Sequence, residues 1–164
     1  MRRVVVSIIL CITFVITLCN TESYAGAKVI SWDLVDVGKH MDWDGTTKYK
    51  SYFVSATKVW NGYKKGVIRK DNISRWQDVV ISDYYEVSNT AGITYIDGLI
   101  RFNTYNMDKL NSKEKKNVCI HELGHALGLA HNTSKDVMFA YVTERTKISK
   151  NDKKSYDYAY ENLY

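Results

Sequence analysis

The 164 residues contain no proline, so one common stiffener of loops is missing throughout. Cysteine is nearly as scarce, with three in the chain. Cys11 and Cys19 lie in the N-terminal apolar stretch, which leaves Cys119 alone in the remainder. A lone cysteine forms no internal disulfide, so the fold must rest on its core and on any metal it holds. Concentrated charge is missing too. Basic residues are scattered, with short clusters at 113–116 and 147–154 where solvated helix ends would lie. That pattern excludes a nucleic-acid footprint and reads as solubility. Low-complexity tracts and internal repeats are also absent. Histidine is rare, yet three of the four histidines fall within residues 121–131.

What is present fits one globular domain with a real core: 45% hydrophobic, 25% charged and 13% aromatic residues. The first residues stand apart. Arg2 and Arg3 precede an uncharged apolar run from Val4 to Leu18, and Ser23-Tyr24-Ala25 offers small residues at both key positions of a cleavage site. Residues 1–25 therefore read as a secretory signal peptide. The run is shorter than the roughly 20 apolar residues of a spanning helix, which argues against a membrane anchor. A lipid-anchored form through Cys19 meets a bulky Leu18 where a small residue is needed. Cleavage is expected after Ala25, with Ala27 as the alternative. Residues 26–164 are then one domain, secreted and monomeric, with no stable membrane insertion and no nucleic-acid partner. The leader holds two arginines and one glutamate, so its loss lowers the net charge from +5 to +4.

Along this domain, Ala27 to Val37 is rich in Val, Ile, Trp and Leu and is expected to be a first strand, followed by a polar loop, GKHMDWDGTT. Tyr49, Tyr52, Phe53, Ala56, Trp60 and Tyr63 recur at helical spacing on one face, which is expected to be core, and Asn61-Gly62 is the stop. Strands are expected at Gly66–Arg69, Asp78–Glu86, Gly92–Tyr95 and Leu99–Asn103, with Asp97-Gly98 as a hairpin turn. Asn111 or Ser112 can cap the next helix, with Glu114 completing a capping box from Asn111. Ser149 and Asp152 repeat that pattern before a last helix whose buried stripe is Tyr156, Tyr160 and Leu163. The order predicts an α+β domain.

HELGHALGLAH, residues 121–131, carries the chemistry. His121 and His125 are four apart, so on a helix both imidazoles share one face and can hold one zinc ion. Glu122 lies beside the first histidine, where its carboxylate can reach a water on the metal and act as general base. A third ligand must come from beyond the helix. Gly128 can take φ > 0, end the helix and let His131 fold back. Three histidines with an open fourth position make a catalytic zinc site.

H-E-x-x-H-x-x-G-x-x-H followed by Met138 resembles the metzincin signature and its methionine turn. The sequence is most similar to small secreted bacterial proteins related to the matrixins. The resemblance implies a metzincin-like catalytic domain: a twisted mixed β-sheet, a sheet-packed helix, an active-site helix and a C-terminal helix. It implies that Met138, in DVMFAY, forms an apolar floor under the zinc histidines. GITYIDGLIRFN resembles the edge strand and its neighbour, so Ala91, Gly92, Ile93, Thr94 and Tyr95 would pair with an extended peptide substrate. Asn117 would help line the main side-chain pocket and Tyr141 its wall. Asp152 matches an acidic position of the closing helix, and Leu163-Tyr164 an ending common in the family. There are departures: Asn132 stands where serine is usual, Ala140 replaces the proline of the methionine turn, and Phe139 follows Met138 where tyrosine is common.

His40 is the one remaining histidine, so a second, structural zinc has no ligand set. Calcium stays open, with Asp97 among the candidates and no stretch matching a calcium loop. No cysteine precedes the domain once the leader is gone, so a cysteine-switch inhibition is not expected. Cys119 is expected to be buried and apolar. The function expected is a secreted zinc metalloendopeptidase acting on extended polypeptide, with extracellular matrix proteins among the family's substrates. The alternative is an exported binding or effector protein that keeps zinc for stability without proteolysis. Glu122 and the open fourth position speak against it.

Overall fold

A computed structural model describes residues 26–164; the expected leader lies outside them. Five strands form one sheet in the order β2-β1-β3-β5-β4. They are β1 (Met41–Gly45), β2 (Ile68–Lys70), β3 (Val79–Tyr84), β4 (Gly92–Thr94) and β5 (Leu99–Asn103). β1 pairs in parallel with β2 and β3, and β3 with β5, while β4 runs antiparallel to β5 at the edge. Four helices complete the α+β fold: α1 (Lys50–Asn61), α2 (Thr104–Met107), α3 (Ser112–Ala126) and α4 (Lys150–Asn162). Among the described residues no helix is long and apolar enough to cross a membrane.

The aromatic stripe forms the face of α1 that packs on the sheet. Phe53 meets Trp43 edge to face at 4.9 Å and Phe102 at 6.3 Å, and Ala56 and Trp60 are fully buried. Trp60 also donates its indole N–H to Ile120 O at 2.9 Å, tying α1 to α3. Tyr63, at the end of the stripe, is partly exposed. Both expected capping boxes are formed, at Asn111–Glu114 and Ser149–Asp152. Gly98, in the β4–β5 turn, takes φ 88°.

Two expectations need correction. Ala27–Val37 is no strand of the sheet. It is extended, but it runs beside the end of α3, with Val29 bridged antiparallel to Leu129. Ile30 N–H donates to Gly128 O at 2.9 Å and Leu34 N–H to Ala126 O at 2.8 Å. The true first strand lies inside the stretch expected to be a polar loop. There Asp42 is only 3% exposed, because Arg69, its register partner on β2, grips its carboxylate with two hydrogen bonds of 2.8 and 2.6 Å. An ion pair across strands thus lets an aspartate sit in a central strand. The short helix α2 was not foreseen either.

The segment leading into the edge strand is fastened by two asparagines. Asn103 is fully buried. Its Nδ2 donates to Glu86 O at 2.8 Å and Thr90 O at 2.9 Å, and its Oδ1 accepts from Glu86 N–H at 3.1 Å and Tyr105 N–H at 3.2 Å. Asn106 Nδ2 adds bonds to Ser88 O at 2.7 Å and Thr90 O at 2.9 Å. Truncation of Asn103 leaves several of these backbone groups unpaired. Asn103→Ala is expected to lower unfolding free energy by roughly 2–3 kcal/mol. Urea denaturation checks it, and a loss under about 0.5 kcal/mol would show that the staple is not what orders this segment.

Candidate active site

Helix α3 presents His121 and His125 one turn apart, and the chain then reverses. Leu127 caps the helix, and Gly128 follows with φ 82°. Gly128 N–H donates to His125 O and Leu129 N–H to Gly124 O, both at 2.9 Å. This is a Schellman turn, with glycine at the position that needs a left-handed residue. It swings His131 back to the other two imidazoles. His125 Nε2 lies 3.0 Å from His121 Nε2 and 3.2 Å from His131 Nε2.

These nitrogens are not hydrogen-bonded to one another. His121 Nδ1 lies 3.1 Å from Val137 O, and His125 Nδ1 lies 2.9 Å from Leu129 O. A carbonyl only accepts, so each Nδ1 carries the proton and each Nε2 turns a lone pair inward. Burial, aided by the neighbouring histidines, pushes His121 down to about 3 and His125 to about 4, so both rings are neutral. Facing lone pairs repel unless a cation lies between them. Zinc with bonds of about 2.0–2.1 Å at tetrahedral angles holds its nitrogens roughly 3.3 Å apart, close to the spacing found. The three residues therefore fit such an ion, and the same group stands out as a metal-ligand cluster. A second cluster, Asp36, Asp42 and Asp78, is already neutralised in part by Arg69. Asp97 is exposed in the β4–β5 turn and joins neither group.

The floor of the site is Met138, which is fully buried. A Cβ at Gly124 would fall on Met138 Sδ and within 3.1 Å of Trp60 Cζ2, so only glycine lets the helix approach the thioether. The loop carrying Met138 is anchored from below. Asp152, fully buried, accepts from Val137 N–H at 3.0 Å, Met138 N–H at 3.2 Å and Ser149 N–H at 2.8 Å. The carboxylate thus fixes the Val137 peptide whose carbonyl orients His121.

Glu122 is buried beside the histidines, and burial pushes its carboxyl up to about 7 against the pull of Thr94. Thr94 Oγ1 lies 2.8 Å from Glu122 Oε2 and 2.9 Å from its main-chain O. A Cβ at Gly92 would come within 2.8 Å of Glu122 Cγ. The edge strand therefore packs its bare and short residues against the carboxylate.

A cavity of about 490 Å³ opens over these groups. Ala91 to Thr94 form one wall and Phe139 to Val142 the other, with Asn117 and Val118 behind. Asn117 is buried, and its amide is committed: Oδ1 accepts from Thr143 N–H at 2.9 Å and Nδ2 donates to Arg145 O at 2.8 Å. It holds the wall as well as lining the cavity. Tyr141 is 73% exposed at the rim and packs on Phe139, while Tyr95 lies just outside the cavity wall. Cys119 is fully buried, and burial pushes its thiol well above the usual range. Ile30 and Trp32 also line the cavity, which no local pattern announces. Their neighbours bond the turn after α3, a contact between distant segments. Asp152's hold on the Met138 loop was also missed, although its capping position was visible.

Three converging histidines that could hold a metal ion, beside a buried carboxylate in a mixed-sheet domain with an open edge, are the design of a metallopeptidase domain of the metzincin class. The chain matches the Matrixin family over residues 29–161, most of its length, and belongs to that family. No curated protein matches it. Matrixins are in general zinc-dependent, in keeping with the histidine group.

The Gly124 contact is open to test. Alanine in place of a helix-interior glycine ordinarily stabilises by about 1 kcal/mol. Here the added methyl has no room, so Gly124→Ala is expected to destabilise the metal-free protein by roughly 1–3 kcal/mol. Zinc affinity, measured by competition with a chelator, should fall with it. A stabilised variant with unchanged affinity would show that Met138 does not press on the helix.

Proposed function

We propose that the protein is a secreted zinc-dependent endopeptidase that hydrolyses peptide bonds in extended polypeptides. The observation that carries this reading is the convergence of three imidazoles, with His121 Nε2 and His131 Nε2 both close to His125 Nε2, next to a buried glutamate, in a cavity with an open strand edge. His121, His125 and His131 hold the ion. Bound zinc supplies Lewis acidity, which makes a water more acidic and polarises the scissile carbonyl. Glu122 takes the proton from the attacking water and returns it to the departing amine. The β4 edge offers unpaired backbone groups to an extended peptide, which then lies across the histidines. Asn117 and the Phe139–Val142 wall receive a side chain of that peptide, and Ile30 and Trp32 close one end with apolar surface. The basic-apolar leader supports export.

The test is zinc content with proteolysis. Protein expressed from the full chain is expected to hold about one zinc per chain and to cut unfolded casein. A chelator should stop cleavage and added zinc restore it. Glu122→Ala should keep the zinc and lose about 10²–10⁴-fold in kcat. Zinc retained without cleavage of casein or of a diverse peptide set would favour the binding-protein reading. Failure of the folded protein to bind zinc would remove the reading altogether.

A further inference from the structure

The edge strand holds a threonine whose side chain does not face the substrate. Residues alternate along a strand, so Gly92 and Thr94 share one face of β4, and that face is turned to α3. Gly92 leaves room for the Glu122 stem. Thr94 sends its hydroxyl to Glu122 Oε2 at 2.8 Å. No described residue donates to the other oxygen, Oε1, which lies over the Gly92 Cα at the cavity wall.

We propose that Thr94 is a positioning residue for Glu122: its hydroxyl pins Oε2 to the edge strand and leaves Oε1 as the oxygen that meets the reacting water. The inference rests on the peptidase reading of the site. Two features of the geometry support it. First, a glutamate side chain has three rotatable bonds, and the burial of Glu122 leaves both carboxylate oxygens competing for the open side. A single donor on one of them breaks that symmetry. Second, Thr94 Oγ1 is also 2.9 Å from the Glu122 main-chain O. The hydroxyl is thus held between the carboxylate and the main chain of the same residue, which fixes its place beside Oε2. It also joins two functions. The strand that aligns the peptide and the group that activates water share one rigid link, so a peptide seated on β4 is registered against the base.

The experiment compares wild type, Thr94→Val, Thr94→Ser and Glu122→Ala, each expressed from the full chain and loaded with zinc. Kinetics are read on a fluorogenic peptide selected with the wild type. Valine matches threonine in shape and removes only the hydroxyl. Thr94→Val is expected to lose about 10- to 100-fold in kcat, as groups that orient reacting residues do. KM and zinc content should stay close to wild type, and serine should restore most of the rate. A purely structural role would instead change KM and stability and would not be rescued by serine. The second readout needs no turnover. In metal-free wild type, the Thr94 hydroxyl proton is expected as a slowly exchanging NMR resonance with a contact to Glu122, lost in Glu122→Ala. A wild type that cleaves while Thr94→Val keeps its kcat overturns the positioning role alone, as does a hydroxyl proton with no contact to Glu122. A wild type that binds zinc but cleaves nothing overturns the peptidase reading, and the inference falls with it.

Discussion

Helix α3 ends in a glycine-centred reversal, and the site takes its shape from that turn. Four of its carbonyls are spoken for by different parts of the molecule. Leu129 O receives the His125 ring, Gly128 O and Ala126 O receive the N-terminal segment, and Leu127 O receives the Tyr164 hydroxyl at 2.7 Å. Leu163 Cδ1 lies where a side chain on residue 128 would start. Both ends of the described chain therefore close on the turn, and neither could do so if the helix ran on. A helix normally leaves its last carbonyls to water. Here they are satisfied by protein groups, and the third histidine arrives as part of the same geometry.

The imidazoles are set from two opposite sides. His125 takes its orientation from the turn, which belongs to α3 itself. His121 takes its orientation from Val137 O, which belongs to a loop held by the buried Asp152. Met138 lies between, pressed against Gly124. The result is that two of the three imidazoles have their tautomers chosen beforehand by neutral carbonyls. Preorganisation of this kind is what separates a metal site from a chance gathering of histidines.

How much of this could be read in the sequence depended on how far apart the partners lie. Capping boxes span three residues, and both were legible at Asn111 and Ser149. The α1 stripe repeats within one helix, and the β4–β5 hairpin is announced by its turn. The grouping of the three histidines was legible because helical spacing fixes two of them and Gly128 explains the third. What failed was nonlocal. Asp42 reads as loop because the arginine that neutralises it stands 27 residues away on another strand. Ala27 to Val37 reads as strand because its extended apolar pattern is real, but its partner is a turn rather than a sheet. Thr94 was placed correctly on the edge strand, yet its facing follows from register against α3, which no local pattern encodes. Gly124 did carry a signal. A glycine inside a helix is unfavourable unless something approaches closely, and here that something is sulfur.

The asparagine staple beneath the edge strand has one more consequence. A bound ion can hold a loop only when the surrounding fluid supplies it. Asn103 and Asn106 instead hold residues 86–90 with donors and acceptors that are part of the chain. One wall of the cavity is thus held by the polypeptide itself, whereas the histidine group could hold an ion taken from outside. The shape of that wall is therefore independent of any metal supply.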